Sequence, residues 1–147
     1  MDTKRRLPVL KAPGEPAADE PPRPPWQWVG FGAVAIFVVW TPLAYLAGLA
    51  GRRFGGGDGS VLVSAGFFAV SSVLAALAGG YLVGRWGAAG VGVREAGLAG
   101  LAAALVASVL AWMQAGLSLG PLVTVLLLVP AAALGGRLGL KSRTGPA

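Results

Sequence analysis

The stretch AGLAGLAAALVASVLAWMQAGLSLGPLVTVLLLVPAAALGG, residues 96–136, is 41 consecutive residues without a charge. A helix rises about 1.5 Å per residue, so a single rod of this length would extend roughly 60 Å, twice the ~30 Å hydrocarbon core of a bilayer. The stretch therefore has to fold back on itself. The turn is expected at QAGLSLGP, residues 114–121, where Gly116, Ser118, Gly120 and Pro121 interrupt the apolar pattern and proline suits the first turn of a new helix. This predicts helix 3 over residues 95–114 and helix 4 over residues 121–138.

Two more uncharged blocks lie upstream, residues 24–51 and 59–84, each at least as long as the roughly 20 residues needed for one crossing. They predict helix 1 over 28–50 and helix 2 over 60–84. The expected fold is an all-α membrane protein whose four transmembrane helices form two hairpins. Composition agrees: 55% of the 147 residues are apolar and 12% charged, against about half and a quarter in soluble domains, and the mean hydropathy is +0.70. The 24 glycines would weaken helices in water, but in a bilayer they let backbones approach closely.

Residues 1–25 hold seven of the 11 prolines and nine of the 18 charges with no helical or strand period, which predicts a disordered cytoplasmic tail. The uncharged block after it is longer than a signal-peptide core, so helix 1 is expected to remain as an anchor. The membrane domain is expected over 26–140 and a short cytoplasmic tail over 141–147. PPRPP at 21–25 has the composition of a polyproline II ligand, but in so proline-rich a tail a plain linker is the better reading.

Orientation follows from the positive-inside rule. With a cytoplasmic N-terminus, Lys4, Arg5, Arg6, Lys11, Arg23, Arg85, Arg94, Arg137, Lys141 and Arg143 lie inside, and only Arg52 and Arg53 outside. This predicts a multi-pass protein of the cell membrane with both termini cytoplasmic. Trp26, Trp28 and Trp86 fall where an inner interfacial aromatic belt is expected. Together with Arg85, Arg94, Arg137 and Lys141 they read as topology anchors. The same cations have the chemistry to bind anionic headgroups or an acidic partner, but snorkelling anchors are the simpler reading.

Small residues recur at four-residue spacing. Ala76, Gly80 and Gly84, with Ala75 and Gly79, form a ridge on helix 2; Ala99, Ala103, Ala107 and Ala111, flanked by Gly97, Gly100 and Ala104, form one on helix 3; Ala131, Gly135 and Gly139, beside Gly136, form one on helix 4. Close helix packing, within the bundle or between copies, is the expected use of these positions; a backbone-lined cavity is the alternative. A shift of 56 residues matches Ala75, Ala76, Gly79, Gly80 and Leu82 to Ala131, Ala132, Gly135, Gly136 and Leu138. The upstream parts share nothing, so duplication of a hairpin stays open.

Chemistry is scarce. The chain has no Cys and no His, which removes disulfides, thiolates, imidazole bases and the usual zinc ligands, and no metal or cofactor is expected. Glu95 is the only acid bordering an apolar run, and at a helix start it suits the dipole better than a proton relay. GRRFGGGDGS, 51–60, lacks the lysine of a nucleotide loop and reads as an outer turn with Asp58 or Ser60 capping helix 2. Pro42 and Pro130 are candidate kinks, and Thr41, Ser71, Ser72, Ser108 and Thr124 are candidate interhelical hydrogen-bonding groups. The net charge of +6 sits at helix ends rather than along a soluble face, which disfavours nucleic acid.

With GGYLVGR at 79–85 and LGGRLG at 134–139, residues 26–141 resemble a family of small uncharacterised four-helix bacterial integral membrane proteins with GGxxxGR-like and LGGxxG-like glycine motifs. The resemblance implies the four-helix topology and an inner-membrane location, and implies no reaction. The expected function is that of a non-enzymatic structural or accessory subunit associating through small-residue helix faces, with the bilayer and a homo-oligomer or membrane protein as partners. A small oligomeric transporter or channel component is the alternative, and an enzyme acting on lipid is disfavoured by the missing acid–base groups.

Overall fold

The computed structural model describes residues 24–54, 60–87, 90–115 and 120–144. Four α-helices account for nearly all of them: α1 Pro25–Phe54, α2 Ser60–Trp86, α3 Val93–Ala115 and α4 Gly120–Thr144. Each is long and apolar enough to cross a membrane. The tail over 1–23, the loop at 55–59 with its Asp58 cap, the Ser60 side chain and the centre of the turn at 116–119 lie outside the described residues.

The helices run past the apolar blocks from which they are predicted. α1 starts at Pro25, whose missing N–H costs nothing in a first turn, and Gln27 N–H donates to the Pro24 carbonyl at 3.0 Å. It continues to Phe54 and takes Arg52 and Arg53 into its last turn, where cations are stabilised by the negative end of the helix dipole. α4 likewise runs through Lys141 and Arg143 to Thr144, so residues 141–144 are helical. Charge marks where a hydrocarbon crossing ends, whereas a helix stops only at a breaker or a cap. Both α1 and α4 continue through their internal prolines, Pro42 and Pro130.

The helices pack in the cyclic order α1, α2, α4, α3, and α1 does not meet α4 among the described residues. The most extensive contact is between α2 and α4, which run in the same direction: Gly80 meets Ala132, and one turn on, Gly84 meets Gly136. α1 and α2 run in opposite directions, with Gly32 against Val83 and Gly51 against Ser64. α3 and α4 do the same, with Gly100 against Leu128 and Gly92 against Leu140. α2 and α3 are consecutive in sequence yet touch least of the contacting pairs.

The interior is made of small side chains. Ala75, Ala76, Ala96, Ala99, Ala104 and Ala132 are fully buried, and Val83 is the largest side chain with no exposure. Ile36 and Leu128 are the bulkiest members of the main core cluster. Large apolar side chains face outward on every helix, among them Val38 (66% exposed), Leu62 (79%), Leu105 (54%) and Leu126 (65%). In water this arrangement would bury little and expose much, since a Leu or Val side chain is worth about 1.5–3 kcal/mol when buried. In hydrocarbon the outer residues carry no such cost, and close contact between small residues supplies the packing.

Candidate functional site

Three features carry the polar and close-packed chemistry: the α2–α4 seam, the basic rim at one end of it, and a cavity at the middle of the bundle.

The seam is backbone against backbone. A methyl group added at Gly80 would overlap the Ala132 carbonyl oxygen; at Gly84 it would overlap the Gly136 carbonyl, at Gly135 the Leu77 carbonyl, and at Gly139 the Tyr81 carbonyl. Each helix contributes two glycines four residues apart, and each glycine lies on a carbonyl of the other helix. Gly79 points from α2 toward α1, where a methyl would meet Ile36. Gly100 and Gly136 serve the α3–α4 contact: a Cβ at Gly100 would lie 2.8 Å from the Leu128 carbonyl oxygen, and one at Gly136 2.6 Å from the Ala96 methyl. Ala76 is fully buried in the main cluster. The segments related by the 56-residue shift thus lie side by side at one depth.

The partner of the helix 2 ridge is α4 rather than α3. Alanine methyls hold backbones apart, and only α4 offers glycine at the matching register. The alanines of α3 divide instead between neighbours: Ala99 lies against Gly32 of α1, with the methyl 2.7 Å from a Cβ built there, Ala103 joins the main cluster, and Ala107 and Ala111 line the cavity.

At the end of the seam the exposed Arg85 donates through Nη1 to Ser142 Oγ at 3.1 Å, which ties α2 to α4. Ser142 Oγ donates in turn to the Gly139 carbonyl at 2.8 Å, and Arg143 Nη1 reaches the Gly87 carbonyl just beyond the α2 C-terminus at 2.7 Å. Carbonyls at a helix end lack intrahelical partners, so a guanidinium there satisfies both a hydrogen bond and the dipole. Arg94, Arg137 and Lys141 are exposed around the same rim. Glu95 is engaged locally: the Gly92 N–H donates to its Oε2 at 2.8 Å, half of a capping box, and Gly90 turns the chain before it with φ +90°. Trp26 and Trp86 are exposed at this end, whereas Trp28 is half-buried, edge-on to Phe31 at 5.8 Å, with Nε1 buried and without an acceptor in the described structure.

The hydroxyls act mostly within their own helices. Thr41 donates to the Phe37 carbonyl at 2.8 Å, Ser72 to Phe68 at 2.8 Å and Ser108 to Ala104 at 2.6 Å. Ser71 donates to Phe67 at 2.7 Å and lies 3.4 Å from the Leu43 carbonyl of α1. A shorter link across α1 and α2 is Trp40 Nε1 donating to Ser72 Oγ at 3.1 Å. Sequence reading passed over Trp40, although a tryptophan near the centre of a span needs a partner for its N–H. It also passed over Gly32, which packs against Val83 and Ala99 but belongs to no small-residue ridge of its own helix.

Trp40 and Ser72 border a cavity of 540 Å³ lined by all four helices. Ile36, Ala103 and Leu128, all buried, form its floor, and Leu110 and Ala111, both exposed, lie at its mouth. α1 and α3 are in contact at Gly32 and Ala99, and the cavity occupies the space beyond that contact, between Trp40 and Ala107. No lining residue carries a charge. No family model, no curated protein and no solved structure matches the chain, so the fold and the site stand on their own geometry.

Proposed function

We propose that this chain is a multi-pass protein of a bacterial inner membrane, threaded as two hairpins with both termini cytoplasmic, and that it works as a non-enzymatic structural or accessory subunit. The observation that carries the membrane reading is the inverted distribution of side chains, alanine and glycine within and large apolar groups without. The cytoplasmic assignment rests on the bias of Lys and Arg toward the ends that bear Arg85, Arg94 and Arg137. The resemblance carried by GGYLVGR and LGGRLG is in keeping with this topology.

Gly80, Gly84, Gly135 and Gly139 are occupied within the bundle, so they make one rigid unit and are not free to join two chains. Association through small-residue faces then falls to α1, at Gly30 and Gly48, where an added Cβ would meet nothing within 4 Å. Purification from native membranes in mild detergent, with mass measurement, tests this: a complex with another membrane protein, weakened by Gly48→Leu, is expected. A monomer under the same conditions contradicts it. The second reading, a small oligomeric transporter or channel component, is favoured by the cavity alone. Homo-oligomers that conduct ions in liposomes would establish that reading instead.

A further inference from the structure

We infer that the cavity between α1 and α3 is a binding slot for a single lipid acyl chain. The inference rests on the membrane-spanning reading. Ala103, Ala107 and Ala111 stand one turn apart along its α3 wall, from buried floor to exposed mouth. The eight steps from Ala103 to Ala111 correspond to roughly 12 Å along the helix, close to the ~15 Å of hydrocarbon in one leaflet. The slot therefore has the length and direction of one leaflet's chain rather than of a compact solute.

Its chemistry points the same way. Phe37, Leu110 and the alanines supply an apolar wall, and the cavity volume of 540 Å³ lies within the range of sites that enclose small ligands. The Trp40 N–H is already satisfied by Ser72, and no charged group faces the slot to hold an ion or a sugar. Leu110 and Ala111 are exposed at the mouth, and the exposed Val106 lies one turn before Leu110 on α3, so a chain enters from the hydrocarbon without leaving an apolar medium. The surrounding bilayer is the source of the ligand. What sets the slot apart from ordinary lipid contact is that side chains of all four helices line it.

Quenching by lipids brominated at mid-chain tests the assignment. The full chain, with Trp26, Trp28, Trp86 and Trp112 replaced by Phe, is reconstituted into brominated phosphatidylcholine vesicles so that Trp40 alone reports. A second protein, tryptophan-free apart from Val106→Trp, reports lipid outside the bundle at a similar depth. Trp40 is expected to be quenched and to lose most of that quenching in Ala107→Phe, which fills the slot. Ala111→Leu narrows the exposed mouth without altering a buried position and is expected to act in the same direction, while Val106→Trp quenching is unchanged by either substitution. Quenching of Trp40 that neither substitution reduces would assign it to surrounding lipid and overturn the proposal. An unquenched, red-shifted Trp40 beside a quenched Val106→Trp would show an aqueous vestibule and also overturn it. If Val106→Trp itself is unquenched, the membrane reading fails and the slot with it.

Discussion

Gly80 of α2 lies so close to the Ala132 carbonyl of α4 that not even a methyl group fits between them. The same relationship recurs one turn further, between Gly84 and the Gly136 carbonyl, and in the reverse sense from Gly135 and Gly139 to carbonyls of α2. Replacing Gly80 or Gly135 with Leu requires backbones to separate, since no flexible side chain is available to yield. Overpacking costs about 1–3 kcal/mol and occasionally more. Both variants are expected to unfold at lower temperature in mild detergent, followed by far-ultraviolet circular dichroism. Gly66→Leu, at an open helical position, is the control and should be unchanged or more stable, since helical glycine costs about 1 kcal/mol. Equal losses at Gly66 and Gly80 would deny the seam its special role.

Trp40 and Ser72 form a side-chain hydrogen bond between α1 and α2. Ser72→Ala leaves the indole N–H without its acceptor and is expected to destabilise by about 1 kcal/mol. Trp40→Phe removes the donor as well as some packing. The two losses should be less than additive in the double variant, measured by the same unfolding assay; strict additivity would mean that the hydrogen bond contributes nothing.

Glu95 accepts from the Gly92 N–H at the start of α3. Gln keeps an acceptor in the same place, so Glu95→Gln is expected to be nearly neutral, whereas Glu95→Ala should cost about 1 kcal/mol as capping groups do. A variant in which Gln behaves as badly as Ala would assign the carboxylate a role that needs its charge.

Arg85 and Ser142 join the ends of α2 and α4. The chain has no cysteine, so the double variant Arg85→Cys, Ser142→Cys places the only two thiols in the molecule. A short bifunctional maleimide is expected to link them within one chain in native membranes, and to fail with Arg85→Cys, Met113→Cys, whose positions lie at opposite ends of the bundle. Linkage of the second pair in preference to the first would refute the parallel packing of α2 and α4.

The four helices were legible because a bilayer imposes a length on apolar runs, and charges at 85, 94 and 137 interrupt them cleanly. Their ends were less so: the Arg52–Arg53 pair ends an apolar run but lies inside α1, since a charge does not stop a helix. Small-residue spacing marks Gly80 and Gly84 as contact positions in principle, but three other helices compete as partners and spacing alone does not choose among them. Register decides it, because Gly135 and Gly139 alone let a carbonyl of α2 approach. The cavity was not legible at all. It lies beyond the contact of Gly32 with Ala99, where Trp40 of α1 and Ala107 of α3 line one space, and it follows from how the helices pack rather than from any motif.

The central claim is that the chain crosses the membrane four times with the Arg85 and Arg137 ends inside. Single cysteines at residues 56, 90, 117 and 147, treated in intact cells with a membrane-impermeant maleimide, test it most directly. The expected result is labelling at 56 and 117 in intact cells, and at 90 and 147 only after the cells are opened. Labelling of residue 90 or 147 from outside would contradict the threading and the orientation together.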